Sequence, residues 1–359
     1  MTIKVYVVDD SAVVRQALAH MLAGVPDIEL IGSAPNPLLA MQAIKKTQPD
    51  VLLLDIEMPG MDGLTFLRQI MSSNPIPTVI CSTLSTEGSR VALDALSAGA
   101  VAVLAKPRLG LKQHLDDSRQ EMIHTLKTAA RSRPRPRSAI EIISHRSAKT
   151  EISAQNDRMP TVSGVHALAM NKPVVIGSST GGTQALELIL TSLPASAPGI
   201  AITQHMPEKF TAMYAQRVNG LSAMNVREAR DGDRLERGVA LIAPGGLHMK
   251  LTKSNGQYYV KVFDGPPVNR HKPSVDVLFK SAAECAGRDA LAIILTGMGD
   301  DGARGMKALH DTGARCIAQN EETCVVFGMP KEAIKLQAVD DILPLESMAR
   351  AIVQFDARA

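Results

Sequence analysis

The chain is predicted to be α/β throughout, with two mostly parallel sheets in series joined by a basic connector. Three observations predict this. Short apolar, β-branched runs alternate with helical patterns in both halves, and most of these runs end in Asp, Ser, Thr, His or Gly. Between about residues 126 and 170 the periodicity lapses, and Arg131-Ser-Arg-Pro-Arg-Pro-Arg137 can form neither a helix nor a ladder. A length of 359 residues accommodates two domains, which places them at 1–125 and 171–359 with a flexible linker at 126–170.

Composition narrows the function. Aromatic residues make up only 3% with no Trp, which argues against reading bases by stacking. Net charge is +3. The arginines of the linker are read as a solvated connector, because nothing beside them reads bases. Cys81, Cys285, Cys316 and Cys324 show no metal-binding spacing and lie in or near apolar runs, so buried, inert thiols in a reducing compartment are expected. The first residues form a strand heading into acids and not a leader, and no apolar run is long enough to cross a bilayer. The expectation is a cytoplasmic monomer that inserts in no membrane and binds no nucleic acid.

In order, residues 4–8 read as a strand ending in Asp9, Asp10 and Ser11, followed by a helix at 13–22. A second strand and helix fall at 28–33 and 37–46. The third strand, 51–54, ends at Asp55 before a helix at 64–70, and the fourth, 78–81, ends at Ser82 and Thr83 before a helix at 88–98. The fifth, 100–104, leads to Lys106. Functional groups of such a sheet gather at the carboxyl ends of its strands. Carboxylates converging there need a divalent cation, and oxygen ligands with room for water suit Mg²⁺. One acid could then accept a phosphoryl group, with a lysine and a hydroxyl bonding its oxygens.

Asp9-Asp10, Leu54-Asp-Ile-Glu-Met-Pro-Gly-Met-Asp-Gly-Leu64 and Lys106-Pro107 resemble the receiver domain of two-component response regulators. The resemblance implies a flavodoxin-like doubly wound sheet and phosphorylation of Asp55 by a histidine kinase. It implies Mg²⁺ held by Asp9, Asp10, Asp55 and Glu57. It also implies Lys106 on the phosphoryl group and Ser82 or Thr83 as the switch hydroxyl. The chain departs from the family where Val101, Val103 and Leu104 stand in place of an aromatic switch residue.

In the second half, residues 174–176 run into small residues and glycines and then into the helical pattern Ala185, Leu186, Ile189, Leu190. Ser179 therefore sits on a strand–turn–helix junction. Converging N–H groups could there hold an oxyanion, although Ser179 or Thr180 could equally cap the helix. Strand 199–203 delivers His205, residues 210–217 look helical, and 226–233 reads as a turn. Strand 239–243, a hairpin at 249–262 turning near Asn255-Gly256, and a helix after Arg270-His-Lys-Pro-Ser274-Val-Asp276 follow. Strand 291–295 runs into Thr296-Gly-Met298-Gly-Asp300-Asp301-Gly302, followed by helix 306–310, strand 314–318 and helix 331–336. Ser179, His205 and an aspartate, Asp300 or Asp301, thus follow three strand ends, which is the chemistry of a nucleophile, a base and the base's orienter.

Ile176-Gly-Ser-Ser179-Thr-Gly-Gly-Thr183, Ile202-Thr-Gln-His205-Met-Pro207 and Leu295-Thr-Gly-Met298-Gly-Asp-Asp301-Gly302 resemble the catalytic domain of the chemotaxis protein-glutamate methylesterase family, CheB. With the receiver, the likeness covers nearly all of the chain outside the linker. It implies a Rossmann-like α/β methylesterase domain with Ser179 as nucleophile, His205 as base and acid, and Asp301 as orienter. Met298 and Thr180 are implied to bind the oxyanion. The implied substrate is a glutamate γ-methyl ester, or a glutamine, on the cytoplasmic helices of chemoreceptors in receptor arrays. The implied regulation is a receiver that covers the site until Asp55 is phosphorylated. A receiver driving a DNA- or nucleotide-binding output is the alternative, although neither G-x-G-x-x-G nor a P-loop lysine is present.

Overall fold

A computed structural model describes residues 2–82, 86–106, 112–133 and 172–357. The first unit contains strands β1 (Ile3–Val8), β2 (Ile28–Ala34), β3 (Val51–Asp55), β4 (Thr78–Ser82) and β5 (Ala102–Ala105). Between and after them run helices α1 (Ala12–Leu22), α2 (Pro37–Lys46), α3 (Gly63–Ser73), α4 (Thr86–Ser97) and α5 (Lys112–Ala129). The strands are parallel in the order β2-β1-β3-β4-β5. Every residue of β3, Val-Leu-Leu-Leu-Asp, is buried, as a strand covered on both faces must be. The order reverses between β1 and β3, so the loops after them part and leave a crevice lined by Asp9 and Asp55. Ser11, Asn36 and Asp62 start α1, α2 and α3 by accepting the N–H of Val14, Leu39 and Thr65.

The second unit contains β6 (Val174–Ser178), α6 (Gly182–Thr191), β7 (Ile200–Gln204), α7 (Glu208–Asn219), β8 (Asn225–Glu228) and β9 (Val239–Ile242). These are followed by β10 (His248–Ser254), β11 (Gln257–Phe263), α8 (Val275–Cys285), β12 (Leu291–Ile294) and α9 (Ala303–His310). β13 (Arg315–Gln319), α10 (Met329–Lys335), β14 (Asp341–Leu343) and α11 (Met348–Ala357) complete it. Seven parallel strands run β14-β13-β12-β6-β7-β9-β8, and β10 and β11 form a separate antiparallel hairpin. Asn255 and Gly256 turn that hairpin with φ of 47° and 74°, the left-handed pair that a tight two-residue connection requires. β6 lies between β12 and β7, so the segments that leave these three strands share one edge of the sheet.

The structure departs from the sequence expectations in several places. α5 runs through residue 125 to Ala129; its sequence is polar, and its described side chains bury a stripe that includes Met122, Leu126 and Ala129. The expected turn at 226–233 begins with an edge strand, β8, in which Val226 is the one fully buried residue. β14 and α11 were not expected at all. Cys81, Cys316 and Cys324 are buried, but Cys285 is only half-buried. Burial pushes the thiols of Cys81 and Cys316 up to about 12 and that of Cys285 up to about 11, so these three stay protonated. Thr83, Pro107 and the linker from residue 134 to 171 lie outside the described residues. No described helix is long and apolar enough to cross a membrane.

Among the described residues, the two units touch at two places. α4 lies against α6 and α7, where Gln184 donates to the Leu96 carbonyl at 2.6 Å and Arg217 bridges Asp94 at 2.6 Å and Glu187 at 3.2 Å. One apolar cluster includes residues of both units, among them Leu93, Leu96 and Leu186. Farther along, the Thr128 hydroxyl at the end of α5 contacts the Met298 sulfur, and the Arg133 N–H donates to the Val325 carbonyl at 3.0 Å.

Candidate active site

Ser179 and His205 leave neighbouring strands in register: Ser178 pairs with Gln204, and the His205 N–H donates to the Ser178 carbonyl at 3.1 Å. The Ser179 backbone is fixed at both ends. Its N–H donates to the Thr296 carbonyl at 3.0 Å, and its own carbonyl accepts from the Gly182 N–H at 2.7 Å and from Gln204 Nε2 at 2.9 Å. Neither Ser179 nor Thr180 caps α6: Gly181 occupies that position with φ 77° and no side-chain bond, which leaves the hydroxyl available for chemistry. Gly297 must be glycine here, because a Cβ on it would sit 2.8 Å from the Ser179 Cβ.

Asp301 is buried, and α9 is capped by Gly302, so the aspartate is not spent on the helix. One carboxylate oxygen accepts His205 Nε2 at 2.8 Å and the Val275 N–H at 2.7 Å. The other accepts the Ser274 hydroxyl at 2.7 Å, Asn269 Nδ2 at 2.8 Å and the Asp276 N–H at 3.3 Å. Burial alone would raise its pKa, but the bonds from His205, Asn269 and Ser274 outweigh burial and hold it well below the usual carboxylate range. An ionised acceptor at Nε2 requires the proton to be on Nε2, which leaves the lone pair on Nδ1. Nδ1 is buried without a partner. Asp300, the other aspartate open to the sequence reading, is exposed and lies 3.8 Å from Arg304.

Among the described residues, the N–H groups of Met298 and Thr180 donate to no other group, and the Ser179 hydroxyl makes no hydrogen bond. An open cleft of about 600 Å³ passes Met298, Gly299 and Phe327, with Thr128, Arg131 and Arg133 on its other wall. Residues beyond the sequence expectation complete the site. Asn269 also bonds Asp276, a second buried carboxylate that accepts the N–H groups of Gly302 and Gly305 and so fixes the start of α9. The Thr296 hydroxyl donates to the Thr180 carbonyl at 2.8 Å. The sequence signal for Asn269, Ser274 and Asp276 was a run of polar residues entering a buried helix, which only tertiary contact could connect with Asp301.

At the edge of the first sheet, carboxylate oxygens of Asp9, Asp10 and Asp55 lie within 4.8 Å of one another. Lys106 Nζ lies 3.1 Å from Asp9 and 2.7 Å from Asp55. Burial raises the Asp55 pKa against the opposing pull of Lys106. Burial also works against the Lys106 ammonium, but its bonds to Asp55 and Asp9 prevail and raise its pKa. Glu57 is exposed and gives no side-chain atom to the acid cluster; its N–H donates to Asp55 at 3.2 Å. Ser82 is buried at the end of β4, where its carbonyl accepts the Lys106 N–H at 2.9 Å.

The response regulator receiver domain family matches residues 5–115, and the CheB methylesterase family matches residues 174–352. The protein-glutamate methylesterase/protein-glutamine glutaminase 2 of Xanthomonas campestris pv. campestris is 56% identical over 349 residues, spanning 97% of this chain and 99% of that protein. Its namesake from Dechloromonas aromatica is 55% identical over 355 residues, 98% of each. The crystal structure of the Thermotoga maritima CheB methylesterase catalytic domain superposes with a TM-score of 0.50 at 39% identity, covering 51% of this chain and 98% of that one. With both matches falling on the two sites and near-complete coverage by its relatives, the chain belongs to the CheB methylesterase family and carries a response-regulator receiver domain.

Proposed function

We propose that Ser179, His205 and Asp301 hydrolyse glutamate γ-methyl esters, and deamidate glutamines, on the cytoplasmic helices of chemoreceptors. The observation that carries this reading is the Asp301–His205 bond at 2.8 Å, which leaves a buried lone pair on Nδ1 at the strand end beside Ser179. Ser179 Oγ attacks the ester carbonyl as its proton passes to Nδ1, and the Met298 and Thr180 N–H groups receive the oxyanion. The imidazolium then protonates the leaving methoxide, and methanol departs. Water adds to the acyl-enzyme by the same relay and releases glutamate; from glutamine the first leaving group is ammonia. The site works on a side chain presented by another protein; the open cleft reaches this site only at Met298 and is lined by none of Ser179, His205 and Asp301.

The receiver is proposed to occupy residues 1–125 with α5 continuing to Ala129, the linker to follow up to 170, and the catalytic unit to span 171–359. Asp55 accepts the phosphoryl group from a histidine kinase, while Lys106 and Ser82 bond its oxygens. The hard carboxylate oxygens of Asp9, Asp10 and Asp55 fit Mg²⁺, which when bound offsets the charge of the acids and of the incoming phosphoryl group. The protein is proposed to act as a cytoplasmic monomer at receptor arrays. A DNA- or nucleotide-binding output is not favoured, because the output residues match the methylesterase family.

The test is methanol release from a methylated receptor cytoplasmic fragment, with and without acetyl phosphate and Mg²⁺. Release should rise with the phosphodonor, and Asp55→Asn should remove that rise. A folded protein that releases no methanol under either condition would overturn the reading. Basal restraint by the receiver is supported by the contacts of Arg217 with Asp94 and of Thr128 with Met298. Arg217→Ala breaks a half-exposed pair worth at most about 1 kcal/mol, so unstimulated release should rise by no more than about fivefold. A fall in unstimulated release, from a protein of unchanged melting temperature, would argue against restraint at this contact.

A further inference from the structure

The geometry points to His271 as the positioning residue of His205: its ring lies face to face with the His205 ring and fixes the plane of the Nδ1 lone pair that is proposed to take the Ser179 proton. The inference rests on the proposed role of His205 as base. The two centroids are 3.7 Å apart with 12° between the planes. His205 has one side-chain hydrogen bond, from Nε2 to Asp301, and none at Nδ1. A single in-plane bond fixes one vertex of an imidazole and leaves the ring free to rock about that vertex. A flat neighbour against its face removes this freedom, and proton transfer from Ser179 depends on the direction of the Nδ1 lone pair.

His271 is itself firmly held. Its N–H donates to the Val268 carbonyl at 2.9 Å and its carbonyl accepts the Val268 N–H at 3.0 Å. The two residues between them, Asn269 and Arg270, both take left-handed backbone with φ of 50° and 69°, an arrangement that costs energy for side chains of this size. The same short segment sends Asn269 to Asp301 at 2.8 Å. One loop therefore sets both the carboxylate at the edge of the His205 ring and the aromatic face beneath it.

The chemistry requires this neighbour to be uncharged when His205 becomes an imidazolium. Burial, then the nearby His205, Arg270 and His124, push the His271 pKa down to about 4 against the opposing pull of Asp301. A neutral π face stabilises a cation against it, whereas a second imidazolium at this distance would repel it. His271 touches neither substrate nor reacting atoms in this role. It acts through the base.

The experiment compares kcat and KM for methanol release by the full-length, phosphodonor-activated protein carrying His271→Ala, His271→Leu or His271→Phe. Loss of the flat face in the alanine and leucine variants should lower kcat at least about tenfold, because small misplacements of a catalytic group carry penalties of this order. KM should stay within about twofold, since binding is not the interaction removed. His271→Phe keeps a flat ring and should recover kcat to within about threefold of wild type. Leucine, which fills the volume without the flat face, replaces alanine if that variant does not fold. Wild-type kcat in the leucine variant would overturn the proposal, as would a phenylalanine variant as slow as leucine, which would assign His271 a hydrogen-bonding or proton-carrying task. Ser179→Ala, run alongside, separates the two readings: turnover surviving that change refutes the triad, and its loss together with an indifferent His271 refutes only the positioning role.

Discussion

Ser179→Ala is expected to lower methanol release by about 10⁶-fold, to the level supported by the remaining site alone, because loss of the nucleophile removes the acyl-enzyme route. The fold should survive. The Ser179 bonds in the structure are made by its backbone N–H and carbonyl to Thr296, Gly182 and Gln204, and alanine keeps all of them. Melting temperature should therefore change little while activity disappears. Activity within tenfold of wild type would remove Ser179 from the mechanism.

Asp301→Asn should reduce kcat by about 10⁴-fold, as expected where an orienting carboxylate sets the tautomer of the base. The groups around Asp301 are His205, Val275, Asn269, Ser274 and Asp276, and all of them donate to it. An asparagine must turn its NH₂ toward one side of that ring of donors. Facing His205, it forces the proton onto Nδ1 and blocks the transfer from Ser179. Facing Ser274 and Asn269, it opposes a donor with a donor, at about 1–3 kcal/mol for each buried group left unpaired. Stability should fall together with rate. Because the folded pKa of Asp301 is depressed, its contribution is fully present above the unfolded carboxylate value of about 4 and is lost as pH falls toward the folded one. The stability gap between wild type and Asp301→Asn should therefore be wide at pH 7 and narrow below about pH 4, as urea denaturation at several pH values would show. An unchanged gap would mean that Asp301 is not ionised in the folded protein.

The legible parts of the chain share one physical cause. Strands of a parallel sheet covered on both faces are continuous apolar runs, so β3 and β6 stand out, and the polar residue that ends each run marks the reactive edge. Asp9, Asp55, Lys106, Ser179 and His205 were singled out in this way, and the structure places each of them at or just past the end of its strand. Asp301 was narrowed to a pair by spacing and chosen over Asp300 by resemblance; the structure shows the physical distinction, one buried among donors and the other exposed beside Arg304. What stayed hidden depends on contacts far apart in sequence. Asn269, Ser274 and Asp276 lie 25 to 32 residues before the groups they bond and His271 lies far beyond His205, on a loop and helix start whose own pattern says only that a helix follows. β8 and α5 were missed for local reasons: β8 is an edge strand that buries one residue, and the sequence of α5 is too polar to impose an apolar period.

The contact between Thr128 and Met298 joins the last helix of the receiver to the residue whose N–H is proposed to bind the oxyanion. Equilibrium does not let such a joint carry influence in one direction only. If a phosphoryl group on Asp55 loosens it and thereby favours receptor at the ester site, receptor at the ester site must favour the phosphorylated receiver by the same factor. A receptor rich in methyl esters is then more than a substrate: while it occupies the ester site, it favours the activated arrangement of the enzyme that erases those esters.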